Sequence, residues 1–349
     1  MRAMLLERVQ AAGDKDPPLR AVDLPMPEPK SGEVLIRVHV CAVCHTELDE
    51  IDGRVAARLP VVPGHQAVGI VAAHGPGAEG APAVGSRVGV GWIFSACGTC
   101  DRCREGRENL CVDFRGTGCH VHGGYAEYMT VPSAFTHSIP DPISDVTAAP
   151  MLCGGAIGLR SLRLCELTNG QVLGLTGFGS SNHQVLQLAR ILLPDSPVLV
   201  WARNPDQRRQ ALESGAAWAG DTRAKAPYPA DAIIDTTPVW EPVMAALDQL
   251  APGGRLIINA ISKEQADRSL LAELDYSKQL WMERSIRSVA NVTRSDIREF
   301  LELAATHTQL RPLTQVYALE EANQALEEIR NGRIHGAKVL AVGHARGDY

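Results

Sequence analysis

The chain has 349 residues, 45% of them hydrophobic and 21% charged, with a formal net charge of −6. That is a globular balance in a chain long enough for two domains, and a negative surface does not ask for nucleic acid or an anionic membrane. No apolar run approaches the roughly 20 residues needed to span a bilayer, and the charged N-terminus does not read as a signal peptide, so a cytoplasmic protein is expected.

The first 150 residues read as strands and loops. Residues 33–40 have the β-branched content of a strand after the turn residues Lys30, Ser31 and Gly32, and 68–71 and 86–90 read the same way. Glycine and proline punctuate the intervals. Within this region Cys97, Cys100, Cys103 and Cys111 fall at C-x2-C-x2-C-x7-C spacing. Thiolates three residues apart can grip one ion from a tight turn, and the fourth closes a tetrahedron with no open position, which is a structural zinc site. The chain's nine cysteines are an odd set with four crowded together, which suits metal better than disulfides.

The pattern changes near Cys153. Residues 171–176 read as a buried strand, and 182–193 place Val185, Leu188, Ala189 and Leu192 on one side of a helix. A strand at 198–201, a helix at 205–214, a strand at 232–235, a helix from 243 to 250 and a strand at 254–259 continue the alternation. Such alternation predicts a parallel sheet of doubly wound type. Gly177-Phe178-Gly179-Ser180-Ser181-Asn182 follows the first of these strands, with Asn182 where a third glycine is usual. Gly177 and Gly179 permit a tight turn and close approach to a pyrophosphate, which the helix N-terminus meets with oriented N–H groups. The second strand ends without the acidic residue that NAD-selecting sites place near Ala202. Arg203 can instead meet a 2′-phosphate, which favours NADP(H) over NAD(H); the plain alternative is an Arg203 that is merely solvated. The last 55 residues return to mixed structure, with helices at 296–306 and 319–331 and a final strand at 337–342.

Three further residues form a possible second metal set: Cys44, His65 and Cys153. Two thiolates and one imidazole neutralise a zinc dication and leave one position open, which is a catalytic design. Spacing alone does not reveal it. Taken singly, a buried cysteine is usually a small hydrophobe, and Cys41 with Cys44 could be a redox pair.

The chain resembles the zinc-containing alcohol dehydrogenases of the medium-chain dehydrogenase/reductase family. The resemblance runs nearly end to end, through Cys44-His45-Thr46, Pro63-Gly64-His65, the four-cysteine lobe, Gly123-Gly124-Tyr125-Ala126-Glu127-Tyr128, Leu152-Cys153 and Gly336-Ala337-Lys338-Val339-Leu340. It implies an α/β fold in which a β-rich, GroES-like catalytic domain (1–153 and 290–349) carries an inserted Rossmann-type domain (154–289). It implies two zinc ions per chain, with Cys44, His65 and Cys153 holding the catalytic one. It also implies hydride transfer between an alcohol or aldehyde and a nicotinamide cofactor, in a homo-oligomer, either dimer or tetramer. Thr46 would accept the alcohol proton and begin a relay to solvent, and His45 and Thr46 would lie at the cofactor. Glu47 would orient His65, its alternative being a solvated loop carboxylate. Trp92 would wall the substrate pocket, its alternative being an ordinary core aromatic.

Two positions depart from the family. Gln66 stands where a glutamate usually follows the zinc-binding histidine. Asp49 stands where a histidine often ends the proton relay, and a carboxylate is the weaker base at neutral pH. The rival readings are a polyol or sugar dehydrogenase of the same family, which commonly has an acidic residue at the position of Cys153, and a non-enzymatic zinc protein or cysteine redox sensor.

Overall fold

The computed structural model describes residues 1–10, 14, 16–332 and 336–343. Parts of the expected C-terminal catalytic segment, 333–335 and 344–349, lie outside the described residues. The chain divides into two compact units, one made of 1–156 with 291–349 and the other of 157–290.

The first unit begins with a hairpin-like pair, β1 (Arg2–Leu6) and β2 (Leu19–Asp23), followed by the ten-residue strand β3 (Glu33–Ala42). A short helix, α1 (His45–Ile51), interrupts the strands before β4 (Ala67–His74), β5 (Arg87–Val90) and β6 (Ile93–Ser95). Then come α2 (Asp101–Arg104), β7 (Arg115–Gly116), β8 (Tyr128–Pro132), β9 (Thr136–Ser138) and α3 (Asp145–Pro150).

The second unit alternates as its periodicity predicts. Its elements are α4 (Ala156–Leu164), β10 (Leu173–Thr176), α5 (Ser180–Leu192), β11 (Val198–Trp201), α6 (Pro205–Glu213) and β12 (Trp218–Gly220). They continue through β13 (Ala230–Asp235), α7 (Glu241–Leu247), β14 (Leu250–Ile258) and β15 (Ser285–Ser288). The six strands form one parallel sheet in the order β12-β11-β10-β13-β14-β15. The order reverses between β10 and β13, which is the arrangement that opens a ligand crevice at the strands' carboxyl ends.

The chain returns to the first unit with α8 (Arg294–Thr306), β16 (Thr314–Ala318), α9 (Ala322–Arg330) and β17 (Ala337–Ala341). β17 pairs with the end of β3 while β8 pairs with its beginning, so β3 is the spine of a sheet ordered β16-β17-β3-β4-β5-β9. Val34, Ile36, Val38 and Val40 alternate inward from β3 and are fully buried. This strand carries the unit's core because its period is two and its inward residues are β-branched.

One expected boundary moves. The helix predicted to reach Leu250 stops at Leu247, and Leu250 pairs with Ala230 at the start of β14. Leu250 is buried there among Val243, Leu247 and Leu256, and Gly253 at φ +73° turns the chain before Arg255 rejoins the ladder. Burial in the sheet outweighs one more turn of an already short helix.

Candidate active site

Cys44 sits at the N-terminal cap of α1, a seven-residue helix in a stretch whose sequence reads as loop. That helix turns Glu47 into the protein. One Glu47 oxygen accepts the Cys44 backbone N–H at 2.7 Å, and the other lies 2.7 Å from His65 Nδ1, with both side chains buried. Glu47 is therefore not a solvated loop carboxylate. Its position fixes the imidazole's orientation and directs the other ring nitrogen, Nε2, to any ligand.

His65 is delivered by Gly64, which has φ +99°. A Cβ on Gly64 would fall 2.4 Å from the Tyr125 ring and 2.9 Å from Cys41 Sγ, so only glycine lets the chain pass here. Trp92 is buried and meets the His65 ring edge-on, with centroids 5.0 Å apart and planes at 89°.

Cys153 comes from a wide, π-helical turn, Met151–Gly155, between α3 and α4. Such turns displace a side chain from the regular helical register. The turn brings Cys153 into one group with Cys44 and His65, whose ligand atoms all lie within 4.8 Å of one another. Two sulfurs and a buried nitrogen at that separation suit a single borderline-soft dication such as zinc.

The protonation pattern agrees with that chemistry. The Cys153 thiol, donating to Cys44, holds Cys44 well below the usual thiol range, while Cys153 itself is pushed well up. His65 loses solvation on burial, yet Glu47 and Cys44 raise it well above the usual imidazole range. A dication entering this set displaces protons, so uptake is linked to pH. Cys41 is fully buried and its thiol is pushed well up by that burial, an environment that does not favour the thiolate a redox pair with Cys44 needs.

The neighbouring positions divide. Thr46 Oγ1 lies 3.6 Å from Cys44 Sγ, and His45 is exposed at the start of α1. Asp49, expected to end a proton relay, lies 2.5 Å from Arg54 Nε and is almost wholly buried. Gln66 is buried, where a neutral amide carries a smaller desolvation cost than a carboxylate would. Glu50, one helical turn beyond Glu47, is a buried carboxyl that sequence reasoning passed over. Burial pushes its pKa well up. The i, i+3 spacing of two glutamates on one short helix was the only available signal.

The four-cysteine lobe surrounds α2. Cys97, Cys100, Cys103 and Cys111 also have all four sulfurs within 4.8 Å of one another. The Cys100 N–H donates to Cys97 Sγ at 3.4 Å, and the Cys97 N–H donates to Cys111 Sγ at 3.5 Å. Backbone donors from Thr99 and Cys100 bring the Cys97 thiol down to about 6. Four thiolates assembled this way close a tetrahedral site.

In the second unit, Gly177 follows β10 with φ +74°, and a Cβ there would lie 3.0 Å from Thr237 Cγ2. Gly179 caps α5 in an extended conformation. Asn182 is fully buried, and its Nδ2 donates to the carbonyls of Thr176 at 2.9 Å and Gly177 at 2.7 Å. The residue that breaks the glycine fingerprint thus holds the turn from inside the helix. Beyond β11, Ala202 is buried and Arg203 is exposed, with no ion-pair partner among the described residues. Arg208 is spent locally, donating to the carbonyls of Ala202 at 2.7 Å and Arg203 at 2.9 Å.

Comparison with known proteins agrees with both halves. The signature described as "Alcohol dehydrogenase GroES-like domain" matches residues 30–141, and "Zinc-binding dehydrogenase" matches residues 206–340. The chain is 42% identical over 330 residues to "Probable alcohol dehydrogenase AdhA" of Mycobacterium tuberculosis, covering 93% of each chain. Among solved structures it is similar to an NAD-dependent alcohol dehydrogenase, with TM-score 0.84, 26% identity and coverage of 98% of this chain and 100% of the other. It is also similar to a zinc-binding dehydrogenase of Sinorhizobium meliloti 1021 bound to NADP, with TM-score 0.82, 25% identity and coverage of 97% and 98%.

Proposed function

Because the chain belongs to the zinc-binding alcohol dehydrogenases of the medium-chain dehydrogenase/reductase family, oxidoreductases acting on a small alcohol or aldehyde with a nicotinamide cofactor, we propose that Cys44, His65 and Cys153 form its catalytic metal site. The observation that carries this reading is the convergence of the three donors within 4.8 Å, with His65 fixed by Glu47. When bound, zinc supplies the Lewis acidity that eases deprotonation of an alcohol or reduction of an aldehyde, and the nicotinamide ring gives or takes the hydride. We assign a second, structural zinc to Cys97, Cys100, Cys103 and Cys111.

The chain's own residues have distinct tasks. Glu47 keeps the imidazole in one orientation. Thr46 takes the alcohol proton at Oγ1 and begins its relay to solvent, with Asp49, paired to Arg54, nearby in the chain. Trp92 supports the His65 ring and walls the site on that side. Gly177, Gly179 and the first turn of α5 receive the pyrophosphate. Arg203 reads a 2′-phosphate, which places NADP(H) ahead of NAD(H).

A panel of primary and secondary alcohols and their aldehydes, each with NAD(H) and NADP(H), tests the assignment. Alcohol-dependent reduction of a dinucleotide is expected. No turnover with either cofactor across the panel would contradict it.

Glu47→Ala removes the acceptor from both His65 Nδ1 and the Cys44 N–H. Zinc affinity at this site is expected to fall about 10- to 100-fold. Zinc retained per chain during dialysis against a graded chelator measures this, and retention equal to the wild type would assign Glu47 no part in metal binding.

We also propose a homodimer paired through β15. That strand lies at the edge of the sheet, every residue of it is exposed, and Trp281, Met282 and Ile286 present apolar surface there. An open apolar edge is covered most simply by the same edge of a second copy about a two-fold axis. Sedimentation should give a dimer, and Ile286→Lys should shift it toward monomer; a wild-type monomer at micromolar concentration would exclude the pairing.

A further inference from the structure

The carboxyl edge of the parallel sheet holds a buried ion pair that the glycine-rich turn does not explain. Asp235, at the end of β13, is fully buried. One of its oxygens accepts the hydroxyls of Thr176 at 2.6 Å and Thr237 at 2.8 Å, and the other pairs with Lys263. The Lys263 ammonium also donates to the carbonyls of Thr237 at 2.6 Å and Val239 at 3.1 Å. Three donors meet three protein acceptors, so this cation has nothing left for a phosphate.

Its effect is to join two loops. Residues 259–267, after β14, are fastened to residues 235–241, after β13. The Asn259 N–H donates to the Asp235 carbonyl and the Glu264 N–H to the Pro238 carbonyl, each at 2.7 Å. Asp267 accepts the N–H groups of Trp240 and Glu241 at 2.8 Å, closing the start of α7. The fastened loop abuts the glycine turn: Thr237 Cγ2 and Thr236 Oγ1 are the atoms nearest a Cβ built on Gly177.

The strand order gives this assembly a task. In a doubly wound sheet each mononucleotide-binding half takes one half of a dinucleotide across the switch point. The end of β11, with Ala202 and Arg203, belongs to the half that reads the adenosine ribose. The ends of β13 and β14 belong to the other half. We propose that Lys263, through Asp235 and the Thr237 and Val239 carbonyls, positions residues 236–239 as the surface that receives the nicotinamide half of the cofactor. Lys263 acts on the cofactor through that loop, not by contact.

This assignment rests on the dinucleotide reading of the second unit. The test compares two ligands by calorimetry: NADPH, and 2′-phospho-ADP-ribose, which lacks nicotinamide; NADH and ADP-ribose serve as a second matched pair. Lys263→Met alone leaves a buried carboxylate unpaired and can fail to fold, so the double variant Lys263→Met with Asp235→Asn, which neutralises both partners, is measured beside it. Binding of the whole dinucleotide is expected to weaken about tenfold, the scale of one lost hydrogen-bonding contact, while the nicotinamide-free fragment changes less than about twofold. Equal weakening of both ligands, or no weakening of either, would overturn the assignment and leave the cofactor reading standing. A wild-type protein that binds none of the four ligands would overturn both.

Discussion

Cys153→Ala is expected to lose turnover by about a thousandfold or more, because the Lewis acid is worth several kcal/mol to the reaction and its third ligand is gone. The same variant should keep its affinity for the dinucleotide, since the glycine turn, Asn182 and α5 all lie in the second unit. It should also keep the zinc of the four-cysteine lobe, whose ligands belong to a separate loop. The expected profile is therefore about one zinc per chain, near-normal cofactor binding and almost no alcohol oxidation. Near-normal turnover would remove Cys153 from the metal site, and loss of both metals would show a general collapse of the first unit.

The second large effect concerns cofactor choice. Ala202 offers no carboxylate to hold ribose hydroxyls or repel a phosphate, and the exposed Arg203 can present a planar fork of N–H donors. A hydrogen bond to a charged group contributes roughly 1.5–3 kcal/mol, or about 10- to 150-fold. NADP(H) should accordingly exceed NAD(H) in kcat/KM by at least about tenfold. Ala202→Asp should reverse the order by placing like charge against the phosphate, and Arg203→Ala should weaken NADP(H) with little change for NAD(H). Arg208 is no substitute, because its guanidinium already holds the Ala202 and Arg203 carbonyls. A wild-type enzyme that prefers NAD(H) would mean that Arg203 reads nothing, and the metal site would stand unchanged.

The parts of this molecule that a sequence makes legible are those encoded locally. The four-cysteine lobe could be read from spacing because its ligands occupy one short loop. The parallel sheet could be read from alternating periodicity because each strand and helix is long enough to carry its period. Cys44, His65 and Cys153 are different: 21 and 88 residues separate them, and only resemblance to a family joined them before the structure did. The role of Glu47 could not be separated from that of a solvated acid, because α1 is seven largely polar residues with no readable amphipathic stripe. The Arg54 partner of Asp49 likewise becomes visible only when the turn after α1 is folded. Lys263 left no trace at all, since its meaning depends on three carbonyl and carboxylate oxygens gathered from another loop.

Alcohol turnover is proposed to depend on a metal held by Cys44, His65 and Cys153. The most direct test is stepwise zinc removal from the purified wild-type protein, with zinc per chain and alcohol-dependent dinucleotide reduction measured on the same samples. The open three-ligand site exchanges more readily than the closed four-thiolate site. Activity should therefore disappear as the first of two zinc ions leaves, with the fold intact, and return when zinc is restored. Full activity in protein stripped to one zinc or none would contradict that dependence.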